Sequence, residues 1–333
     1  MNIIAGIDIG GTKGAISFAE YRGGEVNILD KVVMATQQAS FSVAMDNYIS
    51  CIRKMLASNS HWFLQAVGVS CGGPLDSKKG LILSPPNLPR WQDVDCLRPL
   101  REAFHVPVGL QNDADACALA EWTWGAGKGC ENMAFLTFGT GMGAGLILGG
   151  RLYVGSSNLA GEIGHVRMEK SGPCGHGKEG SFEGFCSGGG IANLGRTEAK
   201  KALDRGERPL FCPDAAQLDR ITAKTIADAL EQGDILAQKI YLTVGRHLGR
   251  GVALLIDLLN PEIVVIGSIY VRQRKWLEPV MREEIAKEAL SVSAAACKVV
   301  PAGLGEMVGD YASISVGVAA LGDKAVSKKR VWA

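Results

Sequence analysis

Two glycine-rich turns contain the residues best suited to hold phosphate groups. The first is DIGGTK at residues 8–13 and the second is GTGMG at residues 139–143. Glycine lets a backbone come close to a ligand, and the N–H groups of such a turn can point at oxyanions. Asp8 could hold a metal ion through water, and Thr12 could donate its hydroxyl to phosphate. An ordinary hairpin is the alternative for either turn alone, whereas two such turns together favour nucleotide binding.

Polar side chains at three further places could serve a ligand. Asn112 and Asp113 lie where a predicted strand ends and a predicted helix begins, although both residue types are also common helix N-caps. Glu162 and His165 are three residues apart and would face together in a helical turn, where a surface histidine is the alternative. Glu183 alone indicates no function, and it becomes a candidate ligand-binding residue only together with these residues.

Hydrophobic patterns place these residues on an α/β framework. The patterns predict strands at 2–9, 14–20, 66–70, 106–110, 133–138, 144–148 and 262–266, and helices at 41–58, 113–124, 235–258, 275–289 and 312–321. Both glycine turns join strand to strand, whereas a dinucleotide-binding loop opens a helix and has the spacing G-x-G-x-x-G. The repeated unit of strand, glycine turn and strand indicates two related halves. Two glycines four residues apart, Gly245 and Gly249, predict close helix packing.

Composition excludes several classes of protein. The chain has 333 residues, of which 47% are hydrophobic and 43 are glycine, and its net charge is +1. The hydrophobic fraction excludes disorder, and the balanced charge argues against a dedicated partner among nucleic acids or membrane surfaces. No apolar run approaches the ~20 residues of a membrane helix, and the start of the sequence lacks the features of a signal peptide. The nine dispersed cysteines predict reduced thiols and a cytoplasmic location.

An ordered set of motifs resembles one family. In chain order, these motifs are similar to those of the ROK family of sugar kinases and sugar-responsive repressors: DIGGTK at 8–13, SPPNLPRW at 84–91, QNDADACALAE at 111–121, LTFGTGMGAGLIL at 136–148, AGEIGH at 160–165, FEGFCSGGGI at 182–191 and LNPEIVVIG at 259–267.

The resemblance implies an α/β fold of the two-domain, actin-like ATPase class, also called ribonuclease H-like. Each domain would contain a five-stranded mixed sheet flanked by helices, with a cleft between the domains. We expect an N-terminal domain at 1–112, completed by a C-terminal helix at about 312–333, and a larger C-terminal domain at 113–311.

The resemblance also implies roles for individual residues. ATP with Mg²⁺ would bind at the two turns, and Asp113 would be the general base. Gly72 would let the sugar approach closely. The remaining sugar-contacting positions correspond to Asn87, Asn112, Glu162, His165 and Glu183. The positions implied for the nucleotide and its metal are Asp8, Gly10, Gly11, Thr12, Lys13, Thr140, Gly141, Gly143 and Gly267.

One departure from the family concerns a structural zinc site. Typical members bind zinc through the histidine of GEIGH and three cysteines. This chain has His165 and Cys174, but Gly172 and Ser181 occupy the other cysteine positions. Because a tetrahedral site needs four ligands, we expect no structural zinc and a loop held by packing. Irregular ligation through His176 or Cys186 is the alternative.

The predicted function is ATP-dependent phosphorylation of a hexose, at O6, with glucose or a related hexose or N-acetylhexosamine as the acceptor. The alternative is a sugar-sensing regulator or a non-catalytic sugar-binding protein of the same family. Because Asp8 lies so near the start of the sequence, we expect no preceding DNA-binding domain. A filament-forming actin-like ATPase would not need the sugar-facing set. The resemblance also allows a homodimer.

Overall fold

The structure, a computed structural model, describes residues 1–322. The part of the predicted C-terminal segment at 323–333 lies outside the described residues. Within residues 1–322 the strands are β1 (Asn2–Ile9), β2 (Lys13–Arg22), β3 (Glu25–Ala35), β4 (Phe63–Cys71), β5 (Leu75–Asp76), β6 (Leu81–Ile82), β7 (Val94–Asp95), β8 (Val108–Asn112), β9 (Met133–Phe138), β10 (Met142–Leu148), β11 (Arg151–Leu152), β12 (Cys174–Gly175), β13 (Lys178–Glu179), β14 (Ile263–Ile266) and β15 (Lys298–Pro301).

The α-helices of the described residues include two whose predicted bounds are confirmed, at 41–58 and 113–124. They are α1 (Phe41–Ser58), α2 (Leu97–Phe104), α3 (Asp113–Trp124), α4 (Phe182–Phe185), α5 (Gly188–Asp204), α6 (Ala223–Glu231), α7 (Ile235–Leu259), α8 (Ile269–Glu288), α9 (Ser291–Ala296) and α10 (Val308–Ala320). No helix in this part of the chain is long and apolar enough to cross a membrane.

Two five-stranded sheets share one plan. The first has the order β3-β2-β1-β4-β8, in which β1, β2 and β3 pair antiparallel and β1, β4 and β8 pair parallel. The second has the order β11-β10-β9-β14-β15, with β10 and β11 antiparallel and β14 and β15 parallel. In both sheets a glycine turn joins the central strand to its hairpin partner. The mixed α/β class and the two related halves predicted from the sequence are therefore confirmed.

The first sheet is buried on both faces. Alternate side chains of β1, such as Ile3 and Ile7, join a core with α1 residues that include Tyr48 and Ile52. The opposite face is covered by α10, whose Ser313 lies directly over Gly6. Because side chains alternate across a strand, burial on both faces explains the nearly continuous apolar sequence of β1.

The chain divides into two compact units. The first comprises Met1–Phe135, Gly145–Ala160 and the described residues from Gly303 onward, and the second comprises Leu136–Ala144 and Gly161–Ala302. The domain boundary predicted at residue 112 stays a prediction.

Close packing of α7 and α8 shapes the second unit. A Cβ atom on Gly249 would lie 2.7 Å from the Met281 carbonyl oxygen, and one on Gly245 would lie 3.0 Å from the Val280 Cβ. The predicted packing role of this glycine pair is confirmed. The helix predicted at 275–289 begins earlier, at Ile269, and the last helix begins at Val308 instead of residue 312.

Candidate active site

Three predicted site segments of the first unit meet at one edge of the first sheet. In the parallel register Ile9 of β1 pairs with Cys71 of β4, and Cys71 pairs with Asn112 of β8. Gly10, Gly72 and Asp113 are the residues that follow these three strand ends. The carboxyl edge of parallel strands is where open α/β sheets bind ligands, and the residues gathered there come from three distant parts of the chain.

The first glycine turn is closed by a hydrogen bond from the Gly10 N–H to the Lys13 carbonyl, at 3.1 Å. Thr12 and Lys13 are exposed. Gly11 lies against Asn87 of the proline-rich loop, since a Cβ atom on Gly11 would be 2.7 Å from the Asn87 Cβ. The predicted phosphate turn and a predicted sugar contact are therefore neighbours in this unit.

Asp8 is a partly buried carboxylate in an acidic neighbourhood. The pKa of Asp8 is raised from 3.8 to about 6, chiefly by burial and then by the negative charges of Asp113 and Asp310, while Lys31 opposes the shift. Asp310 itself forms an ion pair with Lys31 at 2.6 Å and accepts a hydrogen bond from the Ser17 hydroxyl at 2.9 Å. A carboxylate held in this way favours a nearby cation.

Asn112 and Asp113 share one backbone donor at the start of α3. The Ala114 N–H donates to the Asn112 Oδ1 at 2.9 Å and to the Asp113 Oδ1 at 2.8 Å. Asn112 is thus the helix N-cap, as one of the two interpretations predicted. Asp113 remains solvent-exposed, yet desolvation by the surrounding protein raises its pKa, and the hydrogen bond from Ala114 opposes that shift.

Gly72 lies beside open space in this unit. No protein atom lies within 4 Å of a Cβ atom placed on Gly72, whereas one on Gly73 would lie 3.0 Å from the Asn112 side-chain amide. Asn87 is exposed. The glycines after β4 therefore leave room beside Asn112 for another molecule.

In the second unit, the second glycine turn contacts Glu183. The Met142 N–H donates to the Glu183 Oε2 at 3.1 Å, and a Cβ atom on Gly141 would lie 2.9 Å from the same oxygen. A further hydrogen bond, from the Gly143 N–H to the Thr137 hydroxyl at 3.1 Å, closes the hairpin. Thr140 at the tip is exposed.

The turn that contains Glu162 and His165 packs beside Glu183. Residues Ile163–His165 form a short 3-10 helix, and a Cβ atom on Gly164 would lie 3.3 Å from the Glu183 Cβ. The side chains of Glu162 and His165 are exposed. The structure therefore brings the second turn, Glu162, His165 and Glu183 into one neighbourhood of this unit.

Gly267 follows β14 and is buried at the edge of the second sheet. Its N–H donates to the Leu136 carbonyl at 3.0 Å. The next residue, Ser268, has a left-handed φ of 54°, and its hydroxyl oxygen would lie 3.5 Å from a Cβ atom on Gly139. The predicted adenosine-side glycine thus lies close in space to the second turn.

The loop that corresponds to the zinc site is held by hydrogen bonds in this chain. Ser181 is fully buried, accepts from the Gly184 N–H at 3.1 Å and donates to the Gly175 carbonyl at 3.3 Å. Cys174 is exposed, and the Cys186 thiol donates to the Val244 carbonyl at 3.5 Å.

Among residues 1–322, no three His, Cys, Asp or Glu side chains form a group that could hold a metal ion. The side chains present in this loop therefore do not fit a structural zinc, and the zinc content of the protein stays a prediction. Lys31 and Asp310 are the charged neighbours of Asp8 that the sequence motifs did not reveal.

Comparison with known proteins identifies the family. The family model described as "ROK family" matches residues 4–321. The chain belongs to the ROK family. Glucokinase of Thermotoga maritima is 31% identical over 315 residues, which cover 94% of this chain and 96% of that protein. The Escherichia coli DNA-binding transcriptional dual regulator NagC is 32% identical over 228 residues, which cover 68% of this chain and 54% of the regulator.

A solved structure extends this similarity to three dimensions. The ROK family glucokinase of Streptomyces griseus, in complex with glucose and AMPPNP, is 26% identical and matches with a TM-score of 0.76. The match covers 95% of this chain and 99% of the glucokinase. The actin-like fold class expected of a ROK protein is therefore confirmed. Because both sugar kinases and regulators are similar to this chain, its own activity has to be argued from its residues.

Proposed function

We propose that this ROK protein is an ATP-dependent sugar kinase that phosphorylates a hexose, glucose or a related hexose or N-acetylhexosamine, at O6. The observation that carries the proposal is the register of the first sheet. It brings the phosphate turn, the open glycine corner at Gly72 and the exposed carboxylate of Asp113 to three adjacent strand ends. A sugar-sensing protein needs the sugar contacts, whereas a carboxylate beside a phosphate turn is what transfer needs.

Asp113 is the proposed general base. It would accept the proton of the sugar hydroxyl while that oxygen forms its bond to the γ-phosphorus and the bond to the leaving ADP oxygen breaks. Desolvation raises the pKa of Asp113, which makes the ionised form a stronger proton acceptor. The shared hydrogen bond from Ala114 fixes the carboxylate at the start of α3.

The proposed sugar contacts are polar groups that can each pair with a hydroxyl. In the first unit they are Asn87 and Asn112, with Gly72 leaving space, and in the second unit they are Glu162, His165 and Glu183. A site built from such groups rejects a sugar that leaves one of them unpaired. The hydrogen bond from Met142 orients Glu183 before any sugar binds.

The residues present fit a nucleotide with its metal ion. The donors would be backbone N–H groups of the turns that no acceptor in the described part of the chain occupies, such as those of Gly11 and Thr12. The proposed contacts include Gly10, Gly11, Thr12 and Lys13 in the first turn and Thr140, Gly141 and Gly143 in the second. Gly267 is proposed for the adenosine side. Asp8 is the carboxylate that would hold Mg²⁺ through water, because its acidic neighbourhood already favours a cation. When bound, Mg²⁺ neutralises charge on the transferred phosphoryl group.

A coupled assay of ADP release tests the proposal. Glucose, mannose, fructose, allose, N-acetylglucosamine and N-acetylmannosamine are offered one at a time with Mg·ATP. Turnover with at least one of them is expected, and phosphorus NMR of the product checks the position of the phosphate. Absence of turnover with every sugar would refute the kinase activity.

Sugar sensing without transfer is the second candidate, and the similarity to a transcriptional regulator, NagC, supports a regulatory function in place of catalysis. Binding and turnover separate the two functions. A sensor would bind a sugar in calorimetry and release no ADP, whereas a kinase would do both.

A further inference from the structure

The segment that follows β3 holds the first glycine turn from behind. The Thr36 hydroxyl donates to the Gly10 carbonyl at 2.8 Å, and the Thr36 N–H donates to the Thr12 carbonyl at 3.0 Å. The side-chain amide of Gln38 donates to the Gly11 carbonyl between them. Three successive carbonyls of the turn are therefore bonded to one short segment, which we call the bracket, residues 36–38.

The bracket occupies carbonyl groups of the turn and leaves N–H groups of the turn available to a ligand. Within residues 1–322, the backbone N–H groups of Gly11 and Thr12 donate to no protein acceptor. Successive free N–H groups in a turn form a concave site for an anion. Because the bracket fixes the carbonyls, it also fixes the direction in which these N–H groups point.

Two further contacts restrict the turn. Gly11 is confined on its other side by Asn87, and Gly14 lies against the buried Tyr48 hydroxyl. Thr36 itself is buried, whereas Gln38 is exposed and reaches the turn only with its side chain. The bracket therefore holds the turn through a buried residue, Thr36, and through the side chain of an exposed residue, Gln38.

We propose that Thr36 and Gln38 are positioning residues that preorganise the phosphate turn for the triphosphate of the donor. This inference rests on the proposed kinase function, because it assumes that the turn binds phosphate. Neither side chain would touch a sugar, and both act only on backbone carbonyls of the turn. Their loss should therefore weaken donor binding by the same factor for ATP and GTP, and it should leave the KM for the sugar unchanged.

The test compares isosteric substitutions with matched controls. Thr36→Val keeps the shape of the side chain and removes its hydroxyl, while Thr36→Ser keeps the hydroxyl and removes the methyl group. Gln38→Met removes the amide donor, and Gln37→Met is its control, since Gln37 is an exposed glutamine beside it. The Kd of Mg·AMPPNP is measured by calorimetry, and the KM values for ATP, GTP and the sugar are measured in the coupled assay.

We expect Thr36→Val to raise the Kd of Mg·AMPPNP and the KM for ATP about tenfold, and Gln38→Met to raise them about threefold, as the loss of one hydrogen bond predicts. Thr36→Ser and Gln37→Met should behave like the wild type. Unchanged donor affinity in Gln38→Met and in folded Thr36→Val would overturn the inference, as would an equal rise in the KM for the sugar. Because Gln38 is exposed, its variant tests the bracket even if Thr36→Val fails to fold. A wild type that binds no Mg·AMPPNP would instead refute the proposed function.

Discussion

At the residue scale, one backbone N–H serves two side chains. Ala114 donates to the helix cap Asn112 and to the proposed base Asp113. The structural and the catalytic interpretations of this pair are therefore compatible, because a helix N-terminus both needs an acceptor and stabilises a carboxylate. The same contact keeps the proposed base in place without removing it from solvent.

Substitution of Asp113 tests its proposed role. In Asp113→Asn the side chain can still accept from Ala114, but it cannot take a proton. We expect kcat to fall by at least about 100-fold, while calorimetry shows sugar affinity within about threefold of the wild type. Asp46→Asn, at an exposed position of α1, is the control. Retained turnover in Asp113→Asn would show that another group accepts the proton.

The pKa of Asp8 predicts a pH dependence of stability. Since burial, together with the charges of Asp113 and Asp310, raises this pKa from 3.8 to about 6, the folded state disfavours the ionised carboxylate. The contribution of Asp8 is most favourable below pH 4 and is lost as the pH rises through about 6. Asp8→Asn should therefore unfold with a free energy roughly 2 kcal/mol higher than the wild type at pH 7.5, and with little difference at pH 4.

Urea denaturation at the two pH values measures this difference. A gap between wild type and Asp8→Asn that is the same at both pH values would contradict the assignment. Activity should be lost in the variant, so stability and function would change in opposite directions at this residue.

The sequence motifs were sufficient to identify neighbouring residues within a turn, but they did not reveal partners that are distant along the chain. Asp8, Gly11 and Asp113 lie in recognisable motifs. Lys31 and Asp310 reach Asp8 through an edge strand and the last helix, and only the tertiary structure brings them there. Thr36 was missed because a threonine after a polar strand has no distinctive local pattern.

At the scale of elements, periodicity predicted the central strands and most of the long helices, but the strand predicted at 106–110 lies at Val108–Asn112, and α2, α6 and β15 were not predicted. The edge strand β3 (Glu25–Ala35) was not predicted, because its side chains are mostly exposed or half-buried and its pattern is polar. The helix α5 was also missed, since it begins with three glycines that usually disfavour a helix. Its N-cap, Ser187, accepts from the Gly190 N–H and supplies the start signal.

A buried glutamate joins α3 to the segment before α10. Glu121 is fully buried, and its oxygens accept from the N–H groups of Ala126, Gly303 and Leu304 at 2.8, 3.0 and 2.9 Å. Glu121→Gln would turn an amide N–H toward one of these donors and leave it unpaired. We expect a loss of about 2–3 kcal/mol in the free energy of unfolding.

Urea denaturation measures the effect of Glu121→Gln, with the exposed Glu102→Gln of α2 as the control. Equal stability of the two variants would mean that the three hydrogen bonds contribute little. A drop in Glu121→Gln alone would show that α10 depends on this carboxylate for its anchorage.

The loop at 166–187 should be stable without zinc. Its buried Ser181 bonds two backbone groups, and Arg250 forms ion pairs with Glu169 and Glu284, each at 2.7 Å. We expect elemental analysis to find far less than one zinc per chain, and EDTA to leave the melting temperature unchanged. Stoichiometric zinc, or a clear drop in melting temperature with EDTA, would contradict this prediction.

At the scale of the whole molecule, the two sheets repeat one strand order around two glycine turns. The large glycine content predicted special backbone positions, and the structure assigns many of them to these turns and to close helix packing. The family resemblance could indicate this plan because motif order survives when individual residues change. The bounds of the two compact units were not readable from composition, since no linker stands out in the sequence.

Ligand binding should stabilise the folded molecule by mass action. A sugar or Mg·AMPPNP at about 100 times its Kd adds about 2.7 kcal/mol to the free energy of unfolding, because only the folded state binds it. Thermal denaturation with glucose, N-acetylglucosamine or Mg·AMPPNP therefore ranks the candidate ligands. If no ligand shifts the melting temperature, neither sugar transfer nor sugar sensing by this chain is supported.

The aligned ends of β1, β4 and β8 also bear on how this protein could diversify. The hydrogen-bond ladder keeps Ile9, Cys71 and Asn112 level, whereas the connection at 72–107 leaves the sheet and returns to it. Insertions within that connection could reshape the proposed sugar site without shifting Asp113, while one residue added inside β8 would displace Asp113 by about 3.3 Å. If the chain binds a sugar as proposed, its sugar preference is therefore expected to change through the length of this connection, while the paired strands keep Asp113 in a constant position.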